Sequence, residues 1–344
     1  MQVNEEARYF NALNVVLGGN YRALQSLAEK HVSWERAWQT LDRSALETEN
    51  LWNKVLEVGA RVLLRDDPEF PFSLRQIHAP PFGLYVRGKS LNLEKAVAIV
   101  GTRRATYEGR ILAASLAEDF VRAGFAVVSG LALGIDAAAH EGAVRAGGPT
   151  VGVIASGVDI ISPRQNERLG ESLLDCGAIV SEYPCGADAK TYRFLERNRI
   201  VSGLTLGVIV VEAPESSGAL VTARFALEQG RDVFVVPGNI RHPNYRGSHA
   251  LIKSGAALIT EVRDVLLGLG FEDPKTVSGQ VLNKVALDEK EKLVITVLQS
   301  LVSGCSLDYL VEQTGFEVAE ISRRMTGLLF KGVVRENGGK FYAL

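Results

Sequence analysis

Short apolar runs alternate with helical patterns through the middle of the chain. From residue 95 onward, strand-length segments that are apolar throughout are separated by longer segments with apolar residues at helical spacing. Runs that are apolar on both faces are typical of parallel strands covered by helices on each side. The pattern predicts six strands, at 96–100, 126–129, 150–155, 178–181, 207–212 and 232–236.

Helices are predicted between most of these strands. They lie near 108–123, 134–146, 166–176 and 219–229. Because strands that alternate with crossover helices wind into a parallel sheet, the predicted fold class is α/β, an extended Rossmann-like doubly wound parallel sheet. Such sheets bind ligands at the carboxyl ends of their strands, so the loops that follow the strands are the place to look for function.

Two stretches precede the predicted sheet. Residues 1–61 carry apolar positions at helical spacing, broken at Gly18 and Gly19, and they predict a small N-terminal helical domain. Residues 62–94 contain several prolines, which stop helices and leave room only for short extended pieces such as Leu84–Val86. We interpret this second stretch as the lead-in to a main domain that spans 62–270.

Two further regions follow the main domain. Residues 271–286 lose the periodic pattern and carry Pro274 and Gly279, which predicts a linker. Residues 287–344 follow the order helix, helix, helix, two-stranded ribbon, which is typical of a winged helix.

Composition and charge narrow the function classes. With 344 residues, 47% of them hydrophobic and 23% charged, the chain can bury a sizeable core. Its formal net charge of -2 excludes a polycation that coats nucleic acid through bulk charge, so any phosphate binding must be local. No apolar run approaches the roughly 20 residues of a membrane span, and the start lacks a secretion signal, which predicts a cytoplasmic protein without membrane contact.

Cysteine and histidine positions give no sign of a metal or a disulfide framework. Cys176, Cys185 and Cys305 form an odd, scattered set without C-x-x-C spacing. His140 has no partner at metal-ligand spacing, so a packed histidine is favoured over a ligand. We therefore predict no metal and no cofactor.

The segment Gly83–Ser90, GLYVRGKS, matches the phosphate-loop template G-x-x-x-x-G-K-S letter for letter. The template binds phosphate only where a strand precedes it and a helix follows it. Here Pro80 and Pro81 precede the segment, and the next predicted element is a strand. We interpret the match as a chance resemblance.

A turn with two arginines follows the first predicted strand of the main domain. Its residues Gly101, Thr102, Arg103 and Arg104 do not form the dinucleotide-binding pattern G-x-G-x-x-G. Two guanidinium groups at the carboxyl end of a strand suit an anion such as phosphate. Exposed arginines on a plain turn are the alternative.

A glycine-rich turn follows the second of these strands and begins at Ser129. Gly130 and Gly134 permit a tight turn from strand to helix, and free N–H groups there would suit a second phosphate. Glycines that merely form the turn are the alternative.

Cations are densest between the fourth and fifth predicted strands. Four of them fall within ten residues and are interleaved with Tyr192 and Phe194. This composition fits a groove that follows a nucleic-acid backbone and stacks unpaired bases, and a solvated charged face is the alternative. Because the stretch lies at the strand ends beside the arginine turn, we favour nucleic-acid contact. The candidate residues are Lys190, Arg193, Phe194, Arg197, Asn198 and Arg199.

Glu182 and Glu212 also lie at the ends of predicted strands and could form an acid-base pair for hydrolysis. The sequence offers no matched nucleophile, metal site or G-x-S-x-G motif. We therefore favour carboxylates that pair with nearby arginines.

Four motifs of the predicted main domain form a set. They are GTR after the first strand, SGLALGIDAAAH after the second, RNRIVSGL before the fifth and PGN after the sixth. The set resembles the DNA-processing protein A family, also called Smf or DprA, over about residues 62–265. The resemblance implies a binding protein rather than an enzyme. It implies a single-stranded DNA-binding homodimer that protects incoming DNA in natural transformation and loads the RecA recombinase.

The resemblance also implies roles for individual residues. Arg103 would bind phosphate, and Arg197–Arg199 match the family's R-N-R motif. Lys190 or Arg193 would be the upstream cation, and Phe194 would stack on a base.

Two other function classes stay open. A nucleotide hydrolase of the phosphoribohydrolase type would need a catalytic glutamate, for which Glu212 is the candidate. A transcriptional regulator would place its function in the winged helix. Residues 287–344, however, hold seven Lys and Arg against eight Asp and Glu, a poor balance for binding duplex DNA.

Overall fold

The six predicted strands pair with three others into one mixed sheet in the computed structural model of the chain. In chain order they are β1 (Ala60–Leu64), β2 (Gly83–Gly88), β3 (Ala96–Val100), β4 (Ala126–Ser129), β5 (Thr150–Val153), β6 (Ala178–Ser181), β7 (Gly207–Val210), β8 (Asp232–Val235) and β9 (Ala257–Leu258). They lie side by side in the order β1-β2-β6-β5-β4-β3-β7-β8-β9. The pairs β1-β2 and β2-β6 are antiparallel, and the other pairs are parallel.

The structure describes residues 5–41, 47–91, 93–271, 287–299, 305–331, 333–337 and 340–343. It divides into two units, Met1–Glu272 and Asp273–Leu344. The predicted linker at 271–286 lies outside the described residues except for Phe271, whose ring centre is 5.0 Å from that of Phe125.

The α/β fold class and the six predicted strands are confirmed, with strand ends that differ by at most two residues. The sheet also has three strands outside that set of six. β2 contains Leu84–Val86, the short extended piece predicted in the lead-in. β1, which crosses the predicted domain boundary at residue 61, and the two-residue β9 at the opposite edge are not predicted. Since Gly83–Gly88 is a strand and β3 is the next element, the rejection of the phosphate-loop match is confirmed.

The helices of the first unit precede the sheet or connect its strands. They are α1 (Glu5–Val16), α2 (Tyr21–Lys30), α3 (Trp34–Gln39), α4 (Thr48–Glu57), α5 (Phe72–Arg75), α6 (Tyr107–Arg122), α7 (Ile135–Arg145), α8 (Glu167–Cys176), α9 (Thr191–Gly203), α10 (Gly218–Glu228), α11 (Arg246–Lys253) and α12 (Val262–Gly268). The four helices predicted between strands are confirmed as α6, α7, α8 and α10.

Alternate residues of β3 face opposite layers of helices. Val97 and Ile99 are completely buried in a core formed with α6 and α7. Ala98 and Val100 belong to a second core, to which α9 and α10 contribute. Burial on both faces explains why this strand is apolar throughout.

The N-terminal helices share a third core with the sheet. Phe10 of α1 is 1% exposed, and its ring centre lies 6.4 Å from that of Tyr85 in β2. Trp52 of α4 and Leu131, which follows β4, belong to the same apolar cluster. The N-terminal helical region is thus joined to the sheet by packed side chains.

The second unit contains α13 (Glu289–Gln299), α14 (Leu307–Thr314) and α15 (Val318–Phe330), followed by the antiparallel strands β10 (Val334–Asn337) and β11 (Lys340–Ala343). This is the predicted order of three helices and a ribbon. Its core contains Val294, Leu310, Ile321, Leu328 and Phe341.

None of the described helices is long and apolar enough to cross a membrane. Within the same part of the chain, no group of three or more His, Cys, Asp or Glu side chains is arranged to hold a metal ion. The three cysteines are free. His140 is completely buried, with Nδ1 2.7 Å from Thr150 Oγ1, so the prediction of a packed histidine is confirmed.

Candidate functional site

A cleft opens where the winding direction of the sheet changes, between β3 and β7. The chain runs outward from β3 to β6 on one side and then crosses to β7 on the other side of β3. A doubly wound sheet leaves a crevice at the carboxyl ends of the strands at such a switch point. Here the cleft has a volume of ≈ 370 Å³. It is lined by the turn after β3, by α9 and by the segment that leads from β7 into α10.

The turn after β3 holds two arginines at the mouth of the cleft. The N–H of Thr102 donates to the carbonyl of Glu212 at 2.7 Å, which fixes the turn to the chain after β7. A Cβ at Gly101 would lie 2.5 Å from an isoleucine side chain of α7, so only glycine allows this close approach. Arg103 and Arg104 are exposed, so the fixed turn presents two guanidinium groups.

The basic stretch after β6 forms the crossover helix α9, which the sequence pattern does not predict. Its arginines occupy inward positions that an amphipathic helix normally fills with apolar residues. Arg193, Arg197 and Arg199 are 2%, 4% and 7% exposed. Three of the four cations are therefore buried rather than arranged along an open groove.

One face of α9 contributes aromatic and polar groups to the cleft. The ring centre of Phe194 lies 4.9 Å from the guanidinium carbon of Arg103. Asn198 Nδ2 donates to the carbonyl of Gly218 at 3.2 Å and so ties α9 to α10. The contact of Arg103 with Phe194 places a cation over an aromatic face at the cleft mouth.

Arg197 provides a buried positive charge at the cleft wall. Its Nη2 donates to the carbonyl of Gly130 at 3.1 Å, whereas its Nε meets no acceptor in the described part of the chain. Burial lowers the pKa of Arg197 to about 10; the carboxylate of Asp136 opposes this shift and the charge of Arg103 adds to it. The guanidinium thus stays protonated at neutral pH, and an anionic ligand would stabilise it.

The glycine turn after β4 already holds an anion, the carboxylate of Asp136. The N–H of Gly130 donates to Asp136 Oδ2 at 3.1 Å, and backbone N–H groups of Gly101 and Ala132 also bond to this carboxylate. Burial raises the pKa of Asp136, while the charge of Arg197 and these N–H groups oppose the shift. The expectation that the Gly130 N–H is free for a second phosphate is therefore wrong.

Ser129 and Gly134, the other two predicted residues of this turn, stabilise its conformation but do not line the cleft. Ser129 is completely buried, and its hydroxyl donates to the carbonyl of Ile99 at 2.7 Å. Gly134 has φ +83°, a conformation that favours glycine, and a Cβ there would lie 2.3 Å from the Thr102 carbonyl.

Lys190, Arg193 and Arg199 also lie outside the cleft lining. Lys190 is exposed immediately before α9. Arg193 donates to two backbone carbonyls, at 2.6 and 2.8 Å. Arg199 donates to both carboxylate oxygens of Glu182, at 2.7 and 2.8 Å, so the predicted pairing of Glu182 with an arginine is confirmed.

Glu212 has no arginine partner among the described residues, and that part of the prediction is wrong. It accepts hydrogen bonds from the Thr106 N–H at 3.0 Å, the Asn244 amide at 2.9 Å and the Tyr245 hydroxyl at 3.2 Å. Burial acts to raise the pKa of Glu212, but a hydrogen bond from the Thr106 hydroxyl, together with these three, outweighs it and holds the pKa below the ordinary value. The side chain is completely buried and does not line the cleft.

The segment after β7 contributes residues that were not among the predicted candidates. Ser217 caps α10 by accepting a hydrogen bond from the Ala219 N–H at 3.2 Å. Ser216, Ser217 and Gly218 line the cleft, so the N-terminal end of α10 faces it, and the helix dipole there favours an anion. The Ser216-Ser217-Gly218 run before a predicted helix was the available signal, but its place in the cleft depends on β7 lying beside β3.

The cleft thus collects part of the predicted set. Seven predicted candidates line it: Gly101, Thr102, Arg103, Arg104, Phe194, Arg197 and Asn198. The structure adds Val100, Ala132, Asp136, Leu195, Pro214, Ser216, Ser217, Gly218, Ala219 and Thr222. Three arginines against one aspartate make the lining positive, which suits a ligand that carries phosphate.

The fold and the cleft define a Rossmann-like α/β protein with a positively charged cleft at the switch point of its sheet. A family model described as DNA recombination-mediator protein A matches residues 61–270. The chain belongs to this family, which confirms the resemblance to DprA and Smf.

Two relatives are similar in sequence to this chain over more than half of its length. Protein Smf of Synechocystis sp. is 36% identical over an alignment that covers 98% of this chain and 99% of the relative. DNA processing protein DprA of Bacillus subtilis is 40% identical over 61% of this chain and 71% of its own.

Solved structures show the same fold. DNA processing protein A of Streptococcus pneumoniae is 34% identical with a TM-score of 0.62, and the match covers 70% of this chain and 81% of that chain. The protein of Helicobacter pylori, whose structure concerns its single-stranded DNA binding mode, is 30% identical with a TM-score of 0.56, covering 61% and 95%.

Proposed function

We propose that the cleft binds single-stranded DNA and that the protein mediates recombination of incoming DNA. The single observation that carries this proposal is the Arg103–Phe194 contact. It offers a phosphate-binding group and a base-stacking surface side by side, which is the combination that binds unpaired strands. The single-stranded DNA binding mode of the Helicobacter pylori relative supports the same ligand class.

The proposed contacts divide between phosphate and base. Arg103 and Arg104 bind phosphate oxygens at the mouth, and the buried charge of Arg197 stabilises the anion from the wall. Phe194 stacks on a base, which every base permits, so affinity depends little on sequence. Lys190 serves as the upstream cation, because it is exposed whereas the Arg193 guanidinium is enclosed.

The proposed partners are single-stranded DNA, RecA and a second copy of the chain, in the cytoplasm. Family membership supports RecA loading and protection of DNA in transformation. Two clefts joined in a dimer would raise the effective concentration for the second contact, so long strands should bind more tightly than short ones. Light scattering during size-exclusion chromatography measures the dimer, and a strand-exchange assay with RecA measures loading.

Salt dependence tests the proposed ligand. A labelled oligo(dT) is titrated at several salt concentrations, and the logarithm of the association constant should fall by about 0.7 per neutralised phosphate for each unit of log salt. A flat profile would contradict phosphate binding. Release of free base from a nucleoside monophosphate would instead favour the hydrolase alternative.

A shortened chain tests the regulator alternative. A chain that ends at residue 271 retains the whole cleft and should keep most of the affinity for oligo(dT). The residues removed include the near-neutral winged-helix candidate. Loss of nearly all affinity would indicate that DNA binds to the second unit instead.

A further inference from the structure

The first turn of α9 is fixed by the side chain of Arg193, which bonds to carbonyl groups outside the helix. Lys190 at the N-cap makes no side-chain cap hydrogen bond, and an uncapped first turn leaves N–H groups without a partner. Arg193 lies in this turn. Its Nη1 donates to the Asp188 carbonyl at 2.8 Å, and its Nη2 donates to the Gly18 carbonyl at 2.6 Å. The start of α9 is thereby attached to the N-terminal helical region.

The surface that receives Arg193 is the turn between α1 and α2. Gly18 and Gly19 there have φ +62° and +75°. A Cβ at Gly19 would lie 2.7 Å from Tyr183 Cδ1, whereas a Cβ at Gly18 would meet no atom within 4 Å. The Tyr183 ring in turn lies 4.4 Å from the Arg193 guanidinium carbon. The turn, the ring and the guanidinium therefore form one packed contact.

The same ring also reaches the second turn of α9. The Tyr183 hydroxyl donates to Glu196 Oε2 at 2.9 Å. On the α1 side, Asn14 Nδ2 donates to the carbonyl of Glu182 at 3.0 Å and fixes the segment that carries Tyr183. A movement of the α1–α2 turn would therefore be transmitted to the start of α9.

We propose that Arg193 is a positioning residue of the DNA cleft, acting through this contact, and is not a phosphate ligand. Phe194 is the next residue and lies under Arg103 in the cleft. Release of Arg193 from the Gly18 carbonyl would let the first turn of α9 move and separate Phe194 from Arg103. The proposal rests on the proposed function, because it assumes that the Arg103–Phe194 pair binds DNA.

A pair of glycine substitutions tests the proposal in the full chain. Gly19→Ala and Gly59→Ala both place alanine at a positive φ, +75° and +65°, so their backbone strain is similar. A Cβ at Gly19 meets the Tyr183 ring, whereas a Cβ at Gly59, in the turn between α4 and β1, meets no atom within 4 Å. We expect Gly19→Ala to weaken oligo(dT) binding about tenfold, the size of a lost base-stacking contact, and Gly59→Ala to bind nearly as the parent does. Equal affinity of the two variants would overturn the proposal.

Two further readouts separate positioning from a general loss of structure or a charge effect. Hydrogen exchange should rise at the start of α9 in Gly19→Ala and stay unchanged in β3–β8. Arg193→Met should weaken binding while the salt slope stays at the parent value, whereas a lost phosphate contact would reduce the slope by about 0.7. A reduced slope would overturn the proposal even if Gly19→Ala failed to fold.

Arg103→Ala in the same titrations distinguishes this proposal from the proposed function. If Arg103→Ala binds as the parent does, the cleft is not the DNA site and the proposed function fails. If Arg103→Ala weakens binding and Gly19→Ala does not, only the positioning role of Arg193 fails.

Discussion

The guanidinium carbon of Arg103 lies 4.9 Å from the centre of the Phe194 ring. Arg103 follows β3 and Phe194 lies in the first turn of α9, so the contact joins two segments that are far apart in the sequence. Arg103 carries a charge and Phe194 carries an aromatic face, so removing each side chain should affect DNA binding in a different way.

Arg103→Ala should weaken single-stranded DNA binding by about 1–3 kcal/mol, the range for a hydrogen bond to a charged group. The salt slope should also fall by about 0.7, since one phosphate contact is lost. Because Arg103 is exposed, thermal unfolding should change little. Arg122→Ala is the matched control: it removes an exposed arginine at the far end of α6 and should bind as the parent does.

Phe194→Ala should lose about 1–3 kcal/mol of binding free energy through stacking and keep the parent salt slope, because no charge changes. Phe194→Leu separates stacking from packing, since leucine retains apolar volume without a ring. Titration of oligo(dT) should find both variants weak. Parent-like binding by Phe194→Leu would show that the ring acts by packing alone.

Gly130→Ala should disturb the cleft wall. A Cβ at Gly130 would lie 1.8 Å from Arg197 Nη1, so the buried guanidinium must move. We expect weaker oligo(dT) binding and a loss of about 1–3 kcal/mol in the free energy of unfolding, as for other overpacked sites. Gly152→Ala in β5 is the control, because the nearest atom to its Cβ would be the end of the Leu173 side chain at 3.0 Å, with Leu131 at an ordinary contact distance of 3.8 Å. Similar losses of binding in both variants would contradict a specific role for Arg197.

Glu212→Gln should alter the pH dependence of stability. The pKa of Glu212 in the folded chain lies below its ordinary value of 4.5, so the charged form stabilises the fold. This contribution is fully present above about pH 4.5 and is lost as the pH falls through the folded-state pKa. Denaturant unfolding at pH 7 should show the parent more stable by about 1.5–3 kcal/mol, the range for hydrogen bonds to a charged group. The difference should shrink below pH 4.5, and a constant difference down to pH 3.5 would contradict this role.

The strands that helices cover on both faces were predictable from the sequence, and the strands at the edges of the sheet were less so. Strands such as β3 are apolar throughout because helices cover both faces. β9 has only two residues and β1 borders a proline-rich stretch, so their patterns are too short or too interrupted to recognise, while the sequence indicates β2 only as the short extended piece Leu84–Val86. Helix α9 escaped prediction because its inward face carries arginines whose partners are backbone carbonyls and Glu182.

Residues of the candidate site could be predicted because they follow strands. Their arrangement in space could not. Arg103 and Phe194 stood out through charge, aromatic character and motif. The Ser216–Gly218 contribution required the strand order, which places β7 beside β3. Charge alone could not separate the cleft-lining Arg197 from Arg193 and Arg199, because internal partners become visible only in the folded chain.

The preference for unpaired strands is tested most directly by an equilibrium titration of the full chain with one labelled oligonucleotide, first single-stranded and then as its duplex, at a single salt concentration. If Phe194 stacks on bases, the single strand should bind at least about tenfold more tightly, because paired bases are already stacked and cannot reach the ring. A second strand of unrelated sequence should bind equally well. Equal affinity for the duplex would contradict the proposal that the cleft is a single-stranded DNA site.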